Sequence, residues 1–410
     1  MFSPGALIVF AILLILSAIA HQLPLFLLSL TLLGAAGLSR LWERYCLVGL
    51  EYRRRFSTDR AAFGEMIDLE IEIVNRKLLP LAWLEIEDEI PRELPPARGT
   101  IFHSHKATRS LISSLLALRP YERVRRHYPL PCTVRGEHVF GPVCLRTGDL
   151  FGAVSRELTD ERTDILIVYP RVVPLTALGL PAHHPLGDQR LRSWLFEDPN
   201  RPAGVRDYHP GDSLRRIHWP ASARTQRLQV RIFEPTTRHT IALFLNLKST
   251  PGDWWGLEYD PDVLELTITT AASVGVWAIE QGYAVGLWTN GMHRLGRLHV
   301  ALAPGRAPDQ RDRLLEALGR LQPIPVRPFE QTLAQDSRHL PYGTTIVAIS
   351  AVLTPPIAAA LRALRHRGYP VTLITTGRQP VTAALDGIVI RRVGPPDAWR
   401  TVTELVPAVG

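Results

Sequence analysis

Thr240-Ile241-Ala242-Leu243-Phe244-Leu245-Asn246-Leu247 carries no charge and is apolar apart from Thr240 and Asn246. A run this apolar, without polar alternation, reads as a strand buried on both faces, as in the centre of a parallel sheet. The chain beyond it repeats the theme. Residues 263–281 have helical apolar spacing, 284–289 read as a strand, 310–321 as a helix, 345–349 as a strand, 355–367 as a helix and 370–375 as a strand, with 389–393 as an edge strand. This alternation predicts a doubly wound α/β sheet over 238–405. Ligands of such sheets bind beyond the carboxyl ends of the strands, near the switch point.

Upstream lies the densest cluster of functional side chains, running from Gly204 to Glu234 and including Arg206, Tyr208, Gly211, Asp212, Arg215, Ile217, Trp219 and Arg224. Pro210-Gly211 predicts a turn, with Asp212 capping a short helix from Ser213 whose Leu214, Ile217 and Trp219 face inward. Arg206, Arg215, Arg216, Arg224, Arg227 and Arg231 alternate with Asp207, Asp212 and Glu234, a pattern suited to fixed guanidinium–carboxylate pairs. Three roles fit: a structural or partner-binding segment, an anion site, or a hydrolase pairing His218 or His209 with Asp212 beside Ser213 or Ser222. The adjacent His183 and His184 point to opposite sides of an extended chain and suit a loop better than a metal.

The Arg-x-Tyr-x-x-Gly-Asp, Ile-x-Trp and Ala-Arg elements of this stretch (Arg206, Tyr208, Gly211, Asp212, Ile217, Trp219, Ala223, Arg224) resemble the signature of the prokaryotic domain of unknown function 58 family. That resemblance implies a transmembrane hairpin, a β-rich region and, after the signature, a von Willebrand factor A-like domain. It also implies a protein partner, since such proteins accompany MoxR-type AAA+ ATPases. An A-like domain would open a metal site with Asp-x-Ser-x-Ser after its first strand. Here that run is Asn246-Leu247-Lys248-Ser249-Thr250. Asn246 replaces the aspartate and Lys248 brings an ammonium where a hard cation would sit, so Asn246, Lys248 and Thr250 form a degenerate site, even with Asp253 and Asp260 nearby. No metal or cofactor is expected.

Residues 58–172 switch to a period of two, as in Asp68-Leu69-Glu70-Ile71-Glu72-Ile73, with short apolar segments separated by Pro and Gly. This predicts a small antiparallel β-sandwich, with Phe151 plugging its core from a turn over 148–152. Residues 173–237 form the signature segment between the two folded regions. Ahead of them, residues 5–20 and 23–38 are uncharged apolar runs separated by His21-Gln22, and Arg40, Arg44, Arg53, Arg54 and Arg55 follow. Two such runs over 1–45 predict a two-helix membrane anchor, and the flanking arginines place both termini and the soluble regions in the cytoplasm.

The net charge is +8, yet only Lys77, Lys106 and Lys248 are lysine, so the basic surplus is a chain-wide use of arginine and no nucleic-acid partner is expected. Cys46, Cys132 and Cys144 are too few and too dispersed for a disulfide framework or zinc ribbon. Cys132 and Cys144 flank a predicted hairpin across which they could face. The expectation is a multi-pass membrane scaffold or adaptor without enzymatic activity. The alternatives are a hydrolase using Asp212 and His218, and an anion-binding arginine cluster.

Overall fold

A computed structural model describes residues 4–148, 155–180, 186, 196–209, 217–236, 239–252, 258–293, 300–341, 343–378, 385–395 and 398–401. Its contacts divide the chain into two units, Met1–Tyr169 and Pro170–Gly410. Phe151, His183, His184, Gly211, Asp212, Ser213, Leu214, Arg215 and Arg216 lie outside the described residues.

The first unit opens with helices α1 (Pro4–Ile19) and α2 (Leu23–Tyr45), joined by a turn in which His21 takes φ = 49°. Their packing inverts that of a water-soluble helix pair. Ser17, Ser29, Ala36 and Ser39 are buried, with Ser17 Oγ 3.5 Å from Ser29 Oγ, while Ile12, Ile15, Leu16, Leu27, Leu28 and Leu30 face outward. Small residues inside and large apolar ones outside is the arrangement of helices packed in lipid, where Leu gains nothing by hiding from its surroundings. By length and composition α2 is apolar enough to cross a bilayer, and α1 is a shorter apolar helix.

Eleven strands follow: β1 (Leu50–Phe56), β2 (Arg60–Ala61), β3 (Met66–Asn75), β4 (Leu81–Pro91), β5 (Thr100–His103), β6 (Arg109–Leu118), β7 (Arg123–Pro131), β8 (Gly136–Phe140), β9 (Val143–Gly148), β10 (Ser155–Asp160) and β11 (Asp164–Val168). They form sheets ordered β1-β3-β7, β10-β9-β4-β6-β5 and β2-β11-β8. Period-two alternation in β3 buries Ile67, Leu69, Ile71 and Ile73, which join Leu84, Ile86 and Ile90 of β4, Ile112 of β6 and Phe140 of β8 in one core. Strand structure begins at Leu50, earlier than the apolar alternation alone suggested.

A buried ion pair ties the sheets together. Arg54 of β1 makes a bidentate contact with Asp88 of β4, reaches Asp164 of β11 at 2.7 Å, and meets the Phe140 carbonyl at 3.3 Å. Tyr52 donates to Asp88 at 2.6 Å. Asp88 accordingly serves as a charged acceptor for three donors, and its proximity holds the Arg54 guanidinium proton still more firmly. Cys132 is buried beside the Leu130 carbonyl, and the Cys144 thiol faces Glu157 at 3.1 Å, so the two do not meet across a hairpin. Burial and Glu157 push the Cys144 thiol up to about 12.

The second unit contains the ribbon β12 (Phe196–Asp207) and β13 (Gln229–Thr236), with the short helix α3 (Trp219–Thr225) in its connection. Next comes the six-stranded sheet: β14 (Thr240–Leu245), β15 (Ala284–Thr289), β17 (Val300–Gly305), β19 (Thr345–Ser350), β20 (Val371–Thr375) and β21 (Val389–Arg392). Two further strands, β16 (Gly291–His293) and β18 (Leu321–Pro325), pair with each other. The sheet order is β17-β15-β14-β19-β20-β21, all parallel except β17. Helices α4 (Pro261–Glu280) and α5 (Gln310–Gly319) cover the Leu243 face, where Gly275 lets α4 close on Leu243 and Leu314. Helices α6 (Phe329–Asp336) and α7 (Pro355–His366) share a core with Ala242 and Phe244 on the other face. The predicted alternation of strands and helices is thereby met, and α8 (Ala398–Thr401) packs on α4. Although α4 also has the length and apolarity of a membrane span, most of it is buried here.

Asp88→Ala leaves Arg54 buried without its main partner and is expected to lower the unfolding free energy of the β-rich unit by about 3–5 kcal/mol. The paired apolar replacement Arg54→Met with Asp88→Leu should cost much less. Chemical unfolding of the detergent-solubilised protein checks both, and a loss under about 1 kcal/mol for Asp88→Ala would show that the pair is dispensable.

Candidate functional site

The signature region is organised by backbone pairing. Asp207 lies opposite Gln229 in the β12–β13 ribbon, Tyr208 N–H donates to the Leu228 carbonyl, and His218 N–H donates to the Gln229 carbonyl. Ile217 forms a bridge with Val230 and is buried, as expected. A helix begins at Trp219 with His218 as its N-cap, whose Nδ1 accepts the Ala221 N–H at 3.0 Å, and the turn and helix expected over 210–214 fall outside the described residues. Ser222 is buried and used twice: its Oγ donates to the His218 carbonyl at 3.0 Å and accepts from Gln229 N–H at 2.8 Å. Two of the groups named for a hydrolytic reading, His218 through Nδ1 and Ser222, thus help hold α3 against β13, while Asp212 and Ser213 lie outside the described residues.

One expectation changes: Trp219 was expected to face inward, but as the first residue of α3 it stands on the solvent side, 65% exposed. Of the expected ion-pair network, Asp212, Arg215, Arg216 and the Glu234 side chain lie outside the described residues; among those described, Arg224, Arg227 and Arg231 are exposed and form no salt bridge, while Asp207 accepts from the Gln229 amide. Arg206 donates to the Asp207 carbonyl at 3.0 Å and lies 3.1 Å from His209 Nδ1; Tyr208 is half-buried. The result is an exposed indole with free guanidinium groups on the same helix and the strand after it.

The second candidate lies at the carboxyl ends of the parallel strands. Asn246 is buried directly after β14, donating to Ser350 Oγ at 2.9 Å and accepting from Asn290 Nδ2 at 2.9 Å and Lys248 N–H at 3.1 Å. Asn290 in turn accepts from Leu247 N–H, Ser350 donates to the Val352 carbonyl, and Thr250 donates to the Glu258 carbonyl. Among the described residues the side-chain oxygens of Asn246, Asn290, Ser350 and Thr250 are engaged within the protein and no carboxylate enters their network; Asp253 lies outside the described residues. Among the described residues no group of His, Cys, Asp or Glu could hold a metal. Lys248 is only 9% exposed, and its Nζ has no partner among the described residues. Asp260 caps α4 through Asp262 and Val263 N–H and pairs with Arg378 at 2.7 Å; that guanidinium holds its carboxyl below the usual range. The Asn290 and Ser350 partners of Asn246 escaped the sequence reading. Their signal is present, since Asn246, Asn290, Ser350 and Thr376 each end or follow an apolar strand.

Residues 204–375 match the family described as Protein of unknown function DUF58. The match joins the signature ribbon and most of the α/β sheet in one family region. Over 257 residues the chain is 25% identical to the uncharacterized protein YeaD of Bacillus subtilis, covering 61% of this chain and 58% of YeaD. Among solved structures, the CARDB domain of the PF1109 protein from Pyrococcus furiosus has 13% identity over 29% of this chain and 84% of its own, with a TM-score of 0.20. The sporulation control protein Spo0M from Bacillus subtilis has 12% identity over 29% of this chain and 49% of its own, with a TM-score of 0.18. These scores are too low to define a common fold.

With the network closed on itself, millimolar Mg²⁺ or Mn²⁺ is expected to leave the melting temperature of the protein unchanged. Asn246→Asp with Lys248→Ser should introduce a metal-dependent rise, because ligand binding to the folded state stabilises it. A metal-dependent rise in the unaltered protein would contradict this account.

Proposed function

We propose that the protein is a membrane-anchored, non-enzymatic adaptor whose signature surface docks a protein partner. The observation that carries the reading is Trp219, a large indole left in solvent on the short helix that also carries the exposed Arg224, with Arg231 exposed on the strand after it. Trp and Arg are the residues most enriched among binding hot spots, and an exposed Trp held on a short helix costs solubility unless something covers it. The arginines favour a partner whose docking face is acidic.

The membrane end of the proposal rests on the inverted packing of α1 and α2 and on the arginines that follow them, which would place the soluble regions in the cytoplasm. The order β17-β15-β14-β19-β20-β21 with one antiparallel edge strand suits a von Willebrand A-like domain, whose metal position is replaced in this reading by the Asn246 network and Lys248. Such a domain would bind by contact rather than through a cation. A cytoplasmic MoxR-type AAA+ ATPase is the first partner to try, assembling or maturing a complex at the membrane.

The hydrolase alternative, built on Asp212 and His218, is disfavoured by the structural use of His218 Nδ1 as a helix cap and of Ser222 as a staple. The anion alternative keeps the exposed arginines and is separated by salt: phosphate contacts weaken steeply as salt rises.

Trp219→Ala is expected to weaken capture of the partner from membranes by about 2 kcal/mol or more, roughly 30-fold in Kd, with thermal stability nearly unchanged. Unaltered capture by the folded variant would remove Trp219 from the interface.

A further inference from the structure

Three loops meet at the end of the β-rich unit from which α2 emerges. Lys77 Nζ donates to the Cys46 and Val48 carbonyls, and Arg76 N–H donates to the Gly49 carbonyl at 2.8 Å. Asn75 Nδ2 bridges the carbonyls of Leu79 at 3.0 Å and Arg119 at 2.9 Å, and Tyr121 N–H reaches the Lys77 carbonyl at 3.3 Å. Residues 46–49, 76–80 and 119–122 are therefore one surface.

The tips of that surface are apolar. Val48, Leu78 and Tyr121 are 59%, 75% and 69% exposed, one from each loop, and Arg76 and Arg119 are exposed among them. Single exposed apolar residues are ordinary on any protein. Three on adjoining loops at the exit of an apolar helix are not scattered. Tyr121 adds an independent sign. It is the third residue of the turn closed by Glu122 N–H on the Arg119 carbonyl, and its φ is 56°, a backbone conformation for which Gly or Asn is the usual choice. A bulky residue held there is strained, and such strain persists where the side chain has a use.

We propose that these loops form a rim that dips into the interfacial layer of the phospholipid bilayer, with Val48, Leu78 and Tyr121 at the acyl boundary and Arg119 at the phosphates, Arg76 being paired with Glu51 at 2.7 Å. The occupant follows from position. The rim adjoins the last turn of α2, where Trp42 packs on the β core and Tyr45 is exposed, and tyrosine and arginine are the side chains suited to that layer. The rim depends on the reading of α1 and α2 as a membrane anchor. Its consequence is that the β-rich unit is seated on the bilayer and cannot swing about a free linker.

Nitroxide labels on the full chain in phosphatidylcholine–phosphatidylglycerol vesicles test this, using the single variants Leu78→Cys, Tyr121→Cys, Leu30→Cys and Phe102→Cys with Cys144 replaced by Ser. Phe102 is an exposed apolar control paired with Leu111, about 25 Å along β6 from the rim. Labels at 30 should be open to oxygen and shielded from aqueous nickel, labels at 78 and 121 should lie at intermediate depth, and the label at 102 should be aqueous. If 30 is immersed while 78 and 121 are as aqueous as 102, the rim is overturned and the anchor stands. If 30 is itself aqueous, the anchor reading falls and the rim with it.

Discussion

The bonds from Lys77 to the carbonyl of Cys46, the C-cap of α2, and to that of Val48 just beyond it fix how the apolar hairpin joins the rest of the first unit. A helix end leaves carbonyls without partners, and an ammonium placed there satisfies them while complementing the negative end of the helix dipole. Cys46 is buried in the β core, Trp42 and Leu47 pack against it, and Glu43 pairs with Arg156 at 3.2 Å. Helix and sheets therefore share one packed interior. A flexible tether would instead need polar, glycine-rich residues at this point. One of only three lysines in the chain stands here, where a compact three-donor cation fits two convergent carbonyls better than a planar guanidinium.

Much of the α/β architecture was legible because its strands are uninterrupted apolar runs and its helices keep a 3.6-residue period. Strand β12 was harder to read, since its Asp198, Pro199, Asn200, Arg201 and Pro202 look like a loop and its pairing is broken by irregular register. Its partner was more accessible: Leu228, Val230 and Ile232 alternate in period two, but Arg227 and Arg231 beside them drew the reading toward ion pairs. The early strand β1 was hidden by its charge, because Glu51, Arg53 and Arg55 occupy the face away from Tyr52 and Arg54.

The candidate sites were legible in their members and not in their contacts. The resemblance to A-like domains singled out Asn246 and Lys248, yet only the fold brings Asn290 and Ser350 to Asn246 and closes that network. Ile217 was correctly taken as buried. Trp219 is exposed because it opens α3 directly after the His218 cap, where no earlier turn of that helix turns it toward β13. The proposed function rests on that exposure, since an inward Trp219 would have been core.

The central claim is that the N-terminal hairpin is embedded in the membrane and presents the remaining chain to the cytoplasm. It is tested most directly by protease digestion of intact cells expressing the full chain with a C-terminal epitope tag. The account predicts that the tag survives until the membrane is permeabilised and that the tagged protein stays with the membrane through alkaline carbonate extraction. Digestion of the tag in intact cells, or release of the protein by carbonate, would contradict it.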